Sequence, residues 1–338
     1  MIRRRRGKLA AAASIAGLAI AAALAHSGAP AAPAKALLVK ETTIVLPNTS
    51  GRIDHLAVDR ARKRLFVAEI GNGSVDVVDL EDSRVIHRIS GLAEPQGVAF
   101  AATSDKLLVA SGGDGTARVY DGKDFVPRGV VKLDDADNVH LDPANGHAVV
   151  GHGSGGLAII DPLTSAWLTD IPLPAHPEGF AIAGRRAYVN VPEAGEIDVI
   201  DLDAAKVVAT WRPLSFSGNF PLTLDNRGHA AVVFRGQSKF ALFDLQSGRM
   251  VATVATCGDA DDAYFDTLQK RFMVSCGEGI VDVIAEDGAA LKDVGRVRTS
   301  SGARTSLFVP EWRRLFVAER AGLIGSKGAI SIFTVPEK

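Results

Sequence analysis

From residue 51 onward, short apolar runs alternate with polar turns rich in Gly, Asp, Asn and basic residues, and no stretch sustains the 3.6-residue apolar period of a helix. Arg64-Leu65-Phe66-Val67-Ala68, Lys106-Leu107-Leu108-Val109-Ala110 and Arg314-Leu315-Phe316-Val317-Ala318 are representative, each a basic turn residue followed by an apolar run. Runs of this kind between turn signals predict short strands and an all-β chain. A second class of run ends in Asp: Val77-Val78-Asp79, Val119-Tyr120-Asp121, Ile159-Ile160-Asp161, Val199-Ile200-Asp201 and Leu242-Phe243-Asp244. Each such Asp is placed to open a turn, its carboxylate accepting backbone N–H bonds.

These runs recur in a fixed order. Each unit has an inner strand behind a small polar motif, a second strand after a basic turn, a Gly-rich loop, the Asp-ending third strand and a fourth strand such as Val85-Ile86-His87-Arg88-Ile89. Anchoring the motif at positions 54, 96, 137, 178, 220, 261 and 305 gives seven copies with steps of 41 to 44 residues. Four strands per copy, repeated seven times, predict a seven-bladed β-propeller with four-stranded antiparallel blades. The last copy supplies three strands, ending at Ala329-Ile330-Ser331-Ile332-Phe333-Thr334-Val335. The segment Leu37 to Leu46 is the expected fourth, and its pairing would remove an open sheet edge. Residues 37–338 are therefore read as a single domain.

The N-terminus is of another kind. Arg3 to Arg6 and Lys8 precede the uncharged, Ala-rich run Leu9 to Leu24, and Ala23-Leu24-Ala25 is a small-residue cleavage site, which together predict an export signal over residues 1–25, with cleavage as late as residue 36 as the variant. A membrane anchor is the competing reading, but the run is short and weakly hydrophobic, and nothing later approaches a spanning segment. The expected location is the periplasm or the exterior, with the twin-arginine route left open. Removal of residues 1–25 takes away five positive side chains and no acid, moving the formal charge from −1 to −6. A mildly acidic chain lacks the basic stripe of a nucleic-acid binder. The expected partners are a small-molecule ligand or a partner protein, and the expected state is a monomer. In an oxidising compartment Cys257 and Cys276, on the same rim of one blade, are expected to form a disulfide, with a metal thiolate pair or two inert thiols as alternatives.

Candidate chemistry gathers where the inner strands begin, because in a propeller these starts and the loops between second and third strands meet on one face. The starts bring Asp54, His55, Gln96, Asp137, Asn138, Glu178, Asn219, Asp261, Asp262 and Thr305. The loops bring Glu69, Asp114, His152, Glu193, Arg235, Glu278 and Glu319, and His176 also maps to this face. The candidate ligand-binding face is Asp54, His55, Gln96, Asn138, His152, His176, Arg235 and Asp262. Asp54, Asp137, Glu178 and Asp261 hold equivalent places in four blades, so either some carry protons at raised pKa or a cation sits among them. An all-oxygen set points to Ca²⁺ or another divalent cation as its occupant. Satisfied or solvated carboxylates are the alternative. His87 and His229 map to outer or turn positions, and His140 and His147 to the third blade's first two strands.

Arg64 to Ala68 with Gly71-Asn72-Gly73-Ser74-Val75-Asp76-Val77-Val78-Asp79-Leu80, then Glu94-Pro95-Gln96-Gly97-Val98-Ala99-Phe100, resembles the YVTN repeat of exported seven-bladed propellers. Arg186-Ala187-Tyr188-Val189-Asn190 with Ile197-Asp198-Val199-Ile200-Asp201-Leu202 is the nearest copy. The resemblance spans nearly everything after residue 50 and implies a binding or scaffold protein presenting a ligand or partner face at the central channel. Related-looking lactonases and streptogramin lyases imply the alternative of a metal-assisted hydrolase or lyase, in which His55 or His152 would move protons. The acidic, His-bearing inner-strand starts depart from the repeat's usual Pro-x-Gly.

Overall fold

The computed structural model describes residues 36–287, 290–322 and 327–337. The expected export signal, residues 1–25, lies outside the described residues. Among those described, no helix is long and apolar enough to cross a membrane.

Seven four-stranded antiparallel sheets form a seven-bladed β-propeller. The inner strands are Leu56–Asp59, Pro95–Ala101, Val139–Leu141, Phe180–Ala183, Asn219–Leu224, Ala260–Asp266 and Ser306–Val309, one per blade. Second strands such as Arg64–Glu69 and Lys106–Ser111 are almost wholly buried, as their unbroken apolar runs require, because side chains on both faces meet an adjacent blade. The core therefore lies between blades. Phe66 of blade 1 stacks on Phe100 of blade 2 at 5.5 Å, and Trp211 of blade 4 on Phe243 of blade 5 at 6.0 Å.

The seventh blade closes as the sequence implies. Val39–Val45 pairs antiparallel with Ala329–Thr334, giving the blade its fourth strand, with Ile44 and Leu46 buried against Phe316 and Ile330. The turn role of the third-strand Asp is also observed: Asp79 Oδ1 accepts from the backbone N–H of Glu81 and Asp82 at 2.8 and 2.9 Å. Those bonds hold its carboxyl below the ordinary range. In blades 1 to 6 a β-bulge interrupts the pairing of third and outer strands at the same point, as between Val77 and Val78 and between Val199 and Ile200. Each bulge bends the outer strand and adds to blade twist.

Cys257 and Cys276 form a disulfide in blade 6, joining the start of its inner strand to the end of its second, with both residues buried.

Candidate functional site

Inner strands of neighbouring blades approach most closely at their starts. A Cβ on Gly97 would lie 2.0 Å from the Asp137 carbonyl oxygen, and one on Gly179 would lie 2.5 Å from that of Phe220. Glycine in the Pro-x-Gly motif is thus the residue that lets the next blade's backbone pass. The motif's other positions are free to vary, and they surround the mouth of the central channel.

The channel has a volume of about 460 Å³ and is lined by His55, Asn138, His140, Asp261, Asp262 and Tyr264 among apolar neighbours such as Phe180 and Leu222. A side pocket of about 330 Å³ adjoins these strand starts, walled by Gln96, Asp135, Asp137, His176, Glu178, Glu193 and Phe220. Asp54 lies buried behind His55.

Most of these charges have partners. Arg235 reaches across to Asp261 and donates from Nε to the Ala260 carbonyl at 2.6 Å, while its guanidinium lies 3.6 Å over the Phe220 ring. Arg304 takes the other side of Asp261 at 2.7 Å. His176 Nδ1 donates to the Gly153 carbonyl at 2.8 Å, and its Nε2 is 3.8 Å from Asp137. His55 Nδ1 is 3.8 Å from Asp262, which accepts the backbone N–H of Ser306 at 2.7 Å. Arg52 stands 3.4 Å from Asp54. Four carboxyls (Asp54, Asp137, Asp261, Asp262) thus meet five cationic side chains (Arg52, His55, His176, Arg235, Arg304). Compensation for the carboxylate ring comes from side chains of the blades themselves.

Proton affinities follow from this packing. Burial pushes the Asp54 carboxyl up to about 6, with Asp261 and Asp137 adding to the rise. Asp262 rises to about 6 for the same reason, although His55 and the Ser306 N–H pull it back. Burial acts to lower His55, but Asp262, Asp54 and their neighbours outweigh it and raise the imidazole to about 9. His176 is raised to about 9, chiefly by Asp137. His140 opens onto the channel and goes the other way, to about 4, because the protein packed round the channel wall disfavours its charged form and it faces the charge on His55.

Two side chains stand apart. Glu178 makes no side-chain hydrogen bond or ion pair among the described residues, and burial raises its carboxyl to about 7, with Asp137 next in effect. His140 touches the edge of Phe180 at 4.4 Å and has no hydrogen-bond partner among the described residues. Each retains unused hydrogen-bonding capacity beside a cavity.

Of the residues singled out by sequence, Asp54, His55, Asn138, Asp261 and Asp262 gather at the channel, and Gln96, Asp137, His176 and Glu178 at the side pocket. His152 does not join them. It ends its strand at the expected rim but turns outward, its Nε2 2.8 Å from Asp170 on the outer strand and its ring against Trp167. His55 and His152 therefore do not face a common cavity. Two of the loop carboxylates are structural: Glu69 accepts from Thr49, Asn72 and Ser74, and Asp114 is tied to Thr116 and Arg118, while Glu193 walls the side pocket. Among the described residues, Asp54, Asp137, Glu178 and Asp261 do not bring three ligand atoms within 4.8 Å of one another; Asp225, His229 and Glu286 do.

His140 is the residue that sequence reasoning missed. Its neighbours Val139 and Leu141 pack against the core of blades 2 and 3, so strand alternation alone directs His140 to the channel.

The molecule has a WD40-like β-propeller fold. It is similar in structure to a chain of a mitotic checkpoint complex, with TM-score 0.76 and 13% identity over 96% of this chain and 99% of that one. It is also similar to a chain of Kuenenia stuttgartiensis hydrazine synthase, with TM-score 0.71 and 14% identity over 86% of this chain and 98% of that one. At such identities the likeness is one of fold alone. No family model and no curated protein matches the sequence.

Proposed function

We propose that this is an exported binding protein whose propeller holds a small, neutral, hydroxyl-bearing molecule at the channel mouth. The observation that carries this reading is the contrast within the site. Its ion pairs are mutually satisfied, whereas Glu178 and His140 present unspent hydrogen-bonding groups to two adjoining cavities. At pH 7 His140 is an uncharged imidazole and Glu178 is close to half protonated, so each can both donate and accept. Apolar walls with a few convergent polar groups are what ligand sites of this size need. With cations already opposed to Asp54, Asp137 and Asp261, and a proton on Glu178 relieving the rest, the binding reading does not require a metal. The basic N-terminal run and the buried disulfide support an oxidising compartment outside the cytoplasm.

The test is a thermal-shift and saturation-transfer NMR screen of the chain against neutral sugars and polyols, with carboxylates, amines and divalent cations as comparison sets. Binding of a neutral polyol that H140L weakens at least tenfold, with its fold intact by circular dichroism, is the expected result. Preference for charged ligands, or affinity untouched by H140L, would refute the reading.

A further inference from the structure

At the rim away from the channel mouth, an Asp at the end of an inner strand clamps one blade to the next at two junctions. Asp142 of blade 3 accepts from Arg185 of blade 4 at 2.6 Å, and Asp266 of blade 6 accepts both Nη groups of Arg313 of blade 7 at 2.6 and 2.7 Å. Between blades 5 and 6 the pattern breaks. Asp225 holds the same place, but blade 6 meets it with Glu286, a second carboxylate, and both side chains are almost wholly inaccessible. Lys270 occupies the sequence position of Arg185 and Arg313, immediately before its blade's second strand, yet forms no ion pair among the described residues.

The remaining neighbours are informative. His229 Nδ1 lies 2.6 Å from Asp225 Oδ2, and one ligand atom from each of Asp225, His229 and Glu286 lies within 4.8 Å of the other two. Arg227 reaches Glu286 at 2.6 Å from the solvent side, its own side chain 41% exposed. Two buried carboxylates therefore face one half-exposed guanidinium and one imidazole, with Asp225 Oδ1 also accepting the backbone N–H groups of Arg227 and His229 at 2.9 and 2.7 Å. Burial of like charges in contact is costly without a further cation or a shared proton.

We propose that Asp225, His229 and Glu286 bind a divalent transition cation of the zinc class, which fastens blade 5 to blade 6 where blades 3 and 4, and 6 and 7, are joined by arginine. One imidazole nitrogen and two carboxylates form a mixed N/O set, which suits zinc better than the all-oxygen shells of Ca²⁺. Bound at the usual zinc distances of about 2.0–2.2 Å, His229 and Asp225 would part to roughly 3 Å. His229 is 27% exposed, giving the ion an entry route and water a fourth position.

The experiment uses the full metal-stripped chain, titrated with Co²⁺ followed by visible absorbance and then with Zn²⁺ as competitor, with melting curves in Zn²⁺ and in chelator. One saturable site per chain is expected, with a melting temperature several degrees higher in Zn²⁺. H229Q and E286Q should each weaken Zn²⁺ at least tenfold while keeping the wild-type circular dichroism spectrum. Either no saturable binding up to about 100 μM Zn²⁺, or equal affinity in wild type and both variants, overturns the proposal. Absence of binding together with a melting temperature that falls as pH rises, and no longer does so in E286Q, would overturn it in favour of a shared proton.

Discussion

Replacing Glu178 by Gln removes a carboxyl held at about 7 in the folded chain, against an ordinary value of 4.5. Between these values the folded protein keeps a proton that the unfolded chain has released. Its stability therefore falls as pH rises from about 4.5 to about 7, and the loss is complete above that window. At about 1.4 kcal/mol per pKa unit, the shift from 4.5 to about 7 costs the wild type roughly 3–4 kcal/mol at pH 8. Gln has nearly the same shape and no proton to lose. E178Q should match the wild type near pH 4.5 and exceed it by that amount at pH 8. With an unfolding entropy of about 2.1 cal/mol/K per residue over some 300 residues, the gain is roughly 5–6 °C in melting temperature. The assay is calorimetric or circular-dichroism melting of both proteins from pH 4.5 to 9. His55 and His176 titrate in both proteins, so the difference curve isolates Glu178. Parallel curves would refute the account of a desolvated, unpartnered acid. A variant less stable than wild type at pH 8 would show instead that the anion is held by a cation.

Two further outcomes follow from the fold. The Cys257–Cys276 bridge spans 19 residues of sequence, and closing a loop of that size constrains the unfolded chain by about 3 kcal/mol; C257S/C276S should melt roughly 5 °C lower, and reductant should move the wild type toward it. Asp266→Ala leaves Arg313, itself 13% exposed, without its bidentate partner between blades 6 and 7, and urea unfolding should report a loss of about 3 kcal/mol or more, whereas Asp82→Ala at an exposed turn should change stability by less than about 1 kcal/mol.

The blades were legible in the sequence because every copy must satisfy the same local demands. A turn opened by Asp recurs in five copies, a strand buried on both faces needs an unbroken apolar run, and the starts at Gly97 and Gly179 need glycine where the next backbone passes. The closing strand and the disulfide were legible for a related reason, since each answers a gap or a coincidence within the repeat. The site was legible only in part. Repeat position places His152 at the correct rim but says nothing of side-chain direction, and Asp170 with Trp167 draws it outward. The acidic ring was visible as a set of equivalent positions and His55, His176 and Arg235 as members of its face, whereas Arg52 and Arg304, and which cation meets which acid, were not. Arg304 stands one residue before its anchor and Arg235 in a loop, and no shared spacing links either to Asp261. Counter-charges obey distance in space, which register along the chain does not encode.

The closing strand also sets a clock. Val39 and its neighbours are made early, but Ser331 and Thr334, with which they pair, come almost three hundred residues later. At translation rates of about 5–20 residues per second, the first strand waits for tens of seconds without its partner. During that wait up to six blades exist as an open arc with two raw ends. Joining those ends is a late event that no truncated chain can perform. In the finished ring that one antiparallel pairing joins the two ends of the chain.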